Sequence, residues 1–182
     1  RLQGLSNLRD ESGNIILPGN DPWYHLRAAK FQVENYPYFL KFDPMSGYPE
    51  GAAAGTFGTL FDFINATVSL IIGLGNPSEE LIKEVLIYAS PIYGVISVAL
   101  VYLIGKYITG SKWAGVGSAV IISLIPGTFF RRTQVGFADH QSLEIVMLLL
   151  TVIGIVKFID YSEDNNIILR LINDYTNVTT KE

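Results

Sequence analysis

The chain has 182 residues, a formal net charge of −4 and a hydrophobic fraction of 49%. The negative charge argues against a nucleic-acid partner, and the absence of cysteine excludes disulfides, thiolate nucleophiles and cysteine zinc sites. The apolar residues are concentrated in a few long blocks, which is typical of a membrane bundle and predicts an all-α membrane protein.

The first segment, residues 1–84, is predicted to form a large folded loop on one side of the membrane. Its amino-terminal part is polar, aromatic and rich in turn signals. Within it, residues 22–36 are predicted to form a helix, because Asn20 or Asp21 supplies an N-cap and Pro22 suits the first helical position.

A hydrophobic helix is predicted over residues 57–74, and its polar residues decide how it relates to the membrane. Asp62 and Asn65 lie within the apolar stretch, so its uninterrupted apolar core is short. A carboxylate at mid-bilayer costs roughly 2.5–3.5 kcal/mol on insertion scales. We therefore favour a helix that lies in or packs on the loop side over a helix that crosses the membrane.

Three later segments are predicted to be transmembrane helices. They cover residues 85–105, 113–130 and 141–159 within the region 85–160. The first two contain no charged residue, and the third contains only Glu144 and Lys157, both near its ends. Apolar stretches of about 18 or more residues are long enough to cross a hydrocarbon core of about 30 Å.

Charges in the connecting segments predict the orientation of these spans. The link between the first two spans carries Lys106 and Lys112 and no acid, which the positive-inside rule places in the cytoplasm. The large first loop and the turn at 131–141 then share the outer face, where an arginine pair breaks the rule. The polar tail, 161–182, is predicted to be a short amphipathic helix at the cytoplasmic surface.

Two short acidic motifs face the same compartment in this topology. One contains Asp21 in the first loop, and the other contains Asp139 in the later turn. Carboxylates brought together from two loops are typical ligands for Mg²⁺ or Mn²⁺ bound against a phosphate. The alternative is that each aspartate merely caps the start of its helix.

The residues of four separated motifs resemble those of a known family. The motifs are Asp-Pro-Trp-Tyr-His-Leu-Arg from Asp21, Tyr-Pro-Glu-Gly from Tyr48, Ile-Pro-Gly from Ile125, and Arg-Thr-x-x-Gly-x-x-Asp from Arg132. In this order and spacing, the chain resembles the catalytic subunit of oligosaccharyltransferase, most closely its archaeal AglB form. The resemblance covers roughly residues 14–157.

The resemblance implies a fold, a location and a reaction. The fold would be a GT-C glycosyltransferase-like helical bundle in the cell membrane, with a large first loop and active-site loops outside the cytoplasm. The reaction would transfer an oligosaccharide from a dolichyl phosphate or diphosphate carrier to asparagine in Asn-x-Ser/Thr acceptors, using Mn²⁺ or Mg²⁺. The implied partners are the lipid-linked donor, the acceptor polypeptide and the membrane.

The resemblance also implies roles for individual residues. Asp21 would bind the metal and lie beside the acceptor amide, Asp139 would be a second metal ligand, and Arg132 would face the acceptor or the anionic donor. The chain departs from the family at Gln141, where an acid or histidine is usual. A glutamine carbonyl adds no charge, and neighbouring His140 is left as a substitute metal ligand, a donor to phosphate or a solvated side chain.

Two other functional interpretations remain open from the sequence. Another lipid-carrier glycosyltransferase, such as a protein O-mannosyltransferase, also places an acid in its first outer loop. A transporter or channel subunit with a structural cation is the non-enzymatic alternative. If the resemblance holds, the family's first transmembrane helix, a later loop glutamate and a carboxy-terminal Trp-Trp-Asp-x-Gly domain fall outside this chain. We then expect it to hold only part of an active site and to be inactive alone.

Overall fold

The computed structural model of the chain describes residue 2, residues 8–54 and residues 59–165. Its helices are α1 (Asp21–Glu34), α2 (Thr59–Ile72), α3 (Glu79–Thr109), α4 (Lys112–Leu124), α5 (Thr128–Arg132) and α6 (Gln141–Asp164). A two-residue strand β1 (Phe42–Asp43) pairs antiparallel with β2 (Ala52–Ala53). The chain divides into two compact units, Arg1–Val146 and Met147–Glu182. The first unit contains α1 to α5 and the start of α6.

Helix α1 begins at Asp21, next to the N-cap residue Asn20, and carries proline in its first turn. Asn20 caps the helix without a side-chain hydrogen bond, so the proline and the acidic first residue favour this start. One face of the helix is buried; its residues are Pro22, His25, Leu26, Ala28, Ala29 and Gln32. This spacing follows the helical repeat and orients the face towards the interior of the unit.

Helix α2 has 14 residues, which corresponds to a length of about 21 Å. This is less than the about 30 Å of a hydrocarbon core. The side chains it buries include the polar residues Asp62, Asn65 and Ser69. The polar face of α2 is thus turned into the protein, and the location of this helix on the loop side stays a prediction.

Helices α3 and α4 are joined by a short turn and approach each other through small residues. Gly110 ends α3 in the left-handed conformation, with φ of 68°. A Cβ at Gly105 would lie 2.6 Å from Ser118 Oγ, and a Cβ at Gly115 would lie 2.7 Å from the Tyr102 carbonyl oxygen. The absence of side chains at these two positions allows the helices to pack closely.

The second predicted span, 113–130, is not one continuous helix. Helix α4 ends at Leu124, and Ile125 adopts ψ of 122° because the proline that follows disfavours the helical conformation. Gly127 has φ of 144°, and the chain then re-enters a helix as α5. The predicted segment is therefore interrupted at Pro126, which cannot continue the helix, and a membrane crossing over this range stays a prediction.

Two helices in the described part of the chain are long and apolar enough to cross a membrane. They are Glu79–Thr109 and Gln141–Glu163. They include the predicted spans 85–105 and 141–159 and extend beyond them. The count of three spans is not confirmed, because α4 has only 13 residues. Of the predicted amphipathic tail, residues 161–164 continue α6, and 166–182 lie outside the described residues.

Helix α3 positions the segment between α5 and α6. The backbone N–H of Gly136 donates to the Ile87 carbonyl at 3.0 Å. Ser90 Oγ donates to the Phe137 carbonyl at 2.5 Å. Thr133 is fully buried and lies against Gly94, where a Cβ would approach within 2.7 Å of the threonine Cβ. The second acidic motif is therefore fixed to α3 by both hydrogen bonds and steric fit.

We predict that Gly94→Ala destabilises the protein by about 1–3 kcal/mol, because the added methyl group overpacks against buried Thr133. Gly117→Ala is the matched control, since a Cβ at this helical glycine meets no atom within 4 Å. The control is expected to stay within about 1 kcal/mol of the wild type. Thermal unfolding in detergent measures both. Equal stability of the two variants would contradict the tight contact between α3 and the second motif.

Candidate functional site

Asp21 lies at the first position of α1 and faces the second motif. Its side chain is 61% exposed, and its Oδ2 lies 3.6 Å from Arg132 Nη1. The start of a helix favours a negatively charged side chain, because the free backbone N–H groups carry partial positive charge. The first predicted site residue is thus held at the surface of the unit, within reach of the arginine at the end of α5.

Asp139 is the buried counterpart of Asp21, with a side chain that is 1% exposed. Its Oδ2 accepts a hydrogen bond from Arg132 Nη1, the same nitrogen that contacts Asp21. Its Oδ1 accepts from the backbone N–H of Gln141 at 3.1 Å. One guanidinium nitrogen of Arg132 therefore contacts both carboxylates.

The pKa of Asp139 reflects these partners. Burial by itself raises the pKa of the carboxyl group. The hydrogen bonds from His140 and from the Gln141 N–H, together with the charge of Arg132, outweigh burial and lower the pKa to about 2. Asp139 is consequently an anion throughout the physiological pH range.

His140 lies between two carboxylates at the start of α6. Its Nδ1 is 3.1 Å from Asp139 Oδ1, and its Nε2 is 3.6 Å from Glu144 Oε1. The hydrogen bond to Asp139 raises the pKa of the imidazole, although partial burial opposes this. A metal ion bound to His140 would therefore have to displace an imidazole proton that the hydrogen bond to Asp139 stabilises.

A buried histidine on α1 completes the group, and sequence analysis did not assign it a role. His25 is 1% exposed, and its Nδ1–H donates to Asp62 Oδ1 at 2.7 Å. Its Nε2 lies 3.4 Å from His140 Nδ1. Burial raises the pKa of Asp62, and the hydrogen bond from His25 opposes this effect. One sequence feature could have pointed to His25 as a site residue: it follows Asp21 by four positions, which places both on the same face of a helix.

Three of these side chains form a group with metal-ligand spacing within the described ranges. The ligand atoms of His25, Asp139 and His140 all lie within 4.8 Å of one another. Asp21 is outside this triad and is connected to it through Arg132. The predicted residues Asp21, Arg132, Asp139, His140 and Gln141 all line one open cavity of about 710 Å³, together with His25.

A comparison with protein families identifies the chain. Residues 6–173 match the model of the family described as Oligosaccharyl transferase STT3, N-terminal. The chain belongs to this family. An STT3-family relative from Haloferax volcanii, the dolichyl-monophosphooligosaccharide–protein glycotransferase AglB, is 42% identical over 144 residues, which are 79% of this chain and 14% of the relative. The resemblance predicted from the four motifs is thus confirmed.

Two solved structures of the Archaeoglobus fulgidus oligosaccharyltransferase are similar to this STT3-family chain. The complex with Zn and sulfate aligns with a TM-score of 0.65 and 32% identity, covering 75% of this chain and 17% of that chain. The enzyme tethered to an acceptor peptide with the NVT sequon aligns with a TM-score of 0.64 and 31% identity, covering 75% and 16%. The chain thus spans less than a fifth of the length of these relatives.

We predict that Asp139→Asn destabilises the metal-free protein by about 2 kcal/mol at pH 7, because a carboxylate with a depressed pKa stabilises the fold by this amount. The stabilisation is present above pH of about 4 and is lost as the pH falls towards about 2. Thermal unfolding in EDTA at several pH values measures the difference. Asp21→Asn is the control, since an exposed ion pair contributes about 0–1 kcal/mol. A pH-independent difference for Asp139→Asn would contradict the assigned charge.

Proposed function

We propose that this chain is the amino-terminal membrane portion of an oligosaccharyltransferase. The reaction would move a glycan from a dolichyl phosphate or diphosphate carrier to asparagine in an Asn-x-Ser/Thr acceptor. The main support is the pair of carboxylates, Asp21 and Asp139, that two separate segments bring to one arginine on an open cavity. Family membership favours this function over protein O-mannosyl transfer and over a transporter.

The site has the chemistry of a divalent-cation site. Asp139 supplies a buried anionic oxygen, Asp21 an exposed one, and His140 an imidazole; the Gln141 carbonyl would be a neutral fourth ligand. Oxygen ligands favour Mn²⁺ or Mg²⁺, and the Archaeoglobus complex with Zn and sulfate supports the binding of a divalent ion. When bound, such an ion stabilises the negative charge that develops on the leaving phosphate.

Arg132 would bind the anionic donor. Its guanidinium lies over the Phe137 ring, with 4.9 Å between the central carbon and the ring centroid, which limits its orientation. A planar guanidinium matches the oxygens of a phosphate in pairs. If Asp21 and Asp139 held a cation, the N–H groups of Arg132 would be available to bind the donor phosphate. The role of Arg132 is therefore proposed to depend on the metal.

Asp21 would also orient the acceptor. An asparagine amide is a weak nucleophile and needs a positioned partner that accepts a hydrogen bond from its N–H group. The Asp21 carboxylate is exposed to the cavity, whereas Asp139 is enclosed by its own partners. We therefore assign the contact with the acceptor to Asp21 and the more permanent metal contact to Asp139.

The proposed topology places this site outside the cytoplasm of a multi-pass membrane protein. The second motif packs near the middle and amino-terminal half of α3, whereas the lysine-rich turn lies at its carboxyl end. The return from that turn would be made by α4 and α5 together, interrupted at Pro126. Broken helices are tolerated at membrane depth where they line a cavity. Three crossings with a broken second one are therefore proposed.

We predict opposite accessibility for two exposed positions. With single cysteines at Ser12 and Thr109, a membrane-impermeant thiol reagent in intact cells is expected to label only position 12. Thr109 ends α3 between Lys106 and Lys112, and the positive-inside rule retains these lysines in the cytoplasm. Labelling in permeabilised cells verifies that both cysteines are reactive. Labelling of position 109 alone in intact cells would show that the orientation is the opposite of the proposed one.

We predict loss of glycan transfer when either carboxylate is removed from the protein made from the complete open reading frame. Asp139→Ala should abolish metal-dependent transfer, and Asp21→Ala should be at least as damaging because it loses both proposed roles. Gln141→Glu is expected to retain activity and to tighten metal binding through its added charge. Transfer from a lipid-linked glycan to an Asn-x-Thr peptide across a Mn²⁺ titration measures all three. Full activity of both alanine variants would end the metal-site assignment.

A further inference from the structure

Two buried polar residues have no role in the function proposed above, although one of them, His25, lines the cavity. His25 on α1 and Asp62 on α2 are each about 1% exposed, and they form a hydrogen bond of 2.7 Å. Burying a histidine and a carboxylate has a high desolvation cost unless both are paired. Asp62 satisfies only one ring nitrogen of His25. The other nitrogen, Nε2, is directed to the second acidic motif, where it lies 3.4 Å from His140 Nδ1.

The distances around Nε2 match those between neighbouring ligands of one ion. His25 Nε2 is 3.4 Å from His140 Nδ1, which in turn is 3.1 Å from Asp139 Oδ1. Ligands at about 2.1 Å from a metal are separated by about 3.0 Å in octahedral geometry and about 3.4 Å in tetrahedral geometry. Two of the three separations therefore match those of neighbouring ligands, and all three ligand atoms lie within 4.8 Å of one another.

We propose that His25 is a ligand of the divalent cation, together with Asp139 and His140, and that Asp62 is the residue that positions it. This inference rests on the metal site of the proposed function and adds two residues to it. It also accounts for Gln141, where the family usually has a charged or histidine ligand. The imidazole of His25 supplies from α1 the strong donor that is missing at this position of α6.

Asp62 performs two tasks in this arrangement. By accepting the Nδ1–H, it holds the tautomer in which Nε2 carries a lone pair, the form that binds metals. It also fixes the ring plane, with help from the Phe61 ring, whose centroid lies 4.9 Å from that of His25 in an edge contact. Carboxylate–histidine–metal arrangements of this kind are the usual second layer of protein metal sites.

The nature of the ligands determines which cation the site prefers. Imidazole nitrogens bind transition metals better than they bind Mg²⁺, whereas carboxylates bind both. A site with His25 and His140 should therefore prefer Mn²⁺ to Mg²⁺ by more than a site with oxygen ligands alone. Removing one nitrogen ligand should weaken Mn²⁺ binding more than Mg²⁺ binding. A purely structural role for His25 would weaken both equally.

The test uses the protein made from the complete open reading frame, purified in detergent. Mn²⁺ binding is measured from the free-ion electron paramagnetic resonance signal, with Mg²⁺ as the competitor, and pulsed spectra report nitrogen nuclei bound to the metal. The variants are His25→Gln, which removes the nitrogen ligand, and Asp62→Asn, which removes the positioning charge. Asp43→Asn is the control, because Asp43 is an equally buried aspartate that pairs instead with Arg27 at 2.6 Å.

We expect coupling to two histidine nitrogens in the wild type and to one in His25→Gln. Asp62→Asn should lower Mn²⁺ affinity about 10–100-fold, the usual effect of losing such a partner, and should reduce the preference over Mg²⁺. The control should retain the wild-type preference. If His25→Gln does not fold, the metal preference of Asp62→Asn decides the matter: a reduced preference supports the proposal and an unchanged one overturns it.

Two results would overturn the proposal in different ways. Two nitrogen couplings in His25→Gln, or equal losses of Mn²⁺ and Mg²⁺ affinity, would end the role of His25 and leave the proposed transferase intact. A wild-type protein that binds no Mn²⁺ would remove the metal site itself, and His25 would lose its role with it. Glycan transfer that persists after loss of Asp21 and Asp139 would instead count only against the proposed function.

Discussion

The arrangement of the site depends on the burial of the Asp139 carboxylate. An anion that is 1% exposed is stable only with partners, and Arg132, His140 and the Gln141 N–H group supply them. These partners come from the end of α5 and the start of α6. The partners that stabilise the Asp139 charge therefore also fix the segment that connects α5 to α6. The exposed Asp21 is drawn to the same guanidinium, which brings the first motif against the second.

Helix α3 makes this burial possible by serving as the scaffold for the second motif. Its Ile87 carbonyl and Ser90 hydroxyl bond to the segment after α5, and Gly94 leaves room for Thr133. Small residues farther along α3 allow α4 to approach as closely. The helix thus contacts the second motif through its middle and amino-terminal half, and its carboxyl end carries Lys106 next to the turn to α4, in keeping with the proposed topology.

The same electrostatic requirement explains the polar face of α2. Asp62 was predicted to keep this helix from crossing the membrane, and in the structure it pairs with His25 inside the protein. A buried pair of this kind contributes little to net stability compared with an apolar pair, because desolvation offsets the attraction. The presence of this pair on the buried face of α2, where apolar residues would pack as well, is in keeping with a role at the cavity.

The sequence by itself determined the long helices, the four motifs and the family, because helix starts, apolar runs and motif spacing are local properties of the chain. It also identified Asp21, Arg132, Asp139, His140 and Gln141 as one group, which the structure places around one cavity. Only the tertiary structure showed that Arg132 lies between the two aspartates and that His25 and Asp62 stand behind them. Such pairings join residues far apart in the chain, so no local pattern records them. The proline at position 126 was a local signal, but only the structure showed that α4 ends at Leu124 and that the chain re-enters a helix at Thr128.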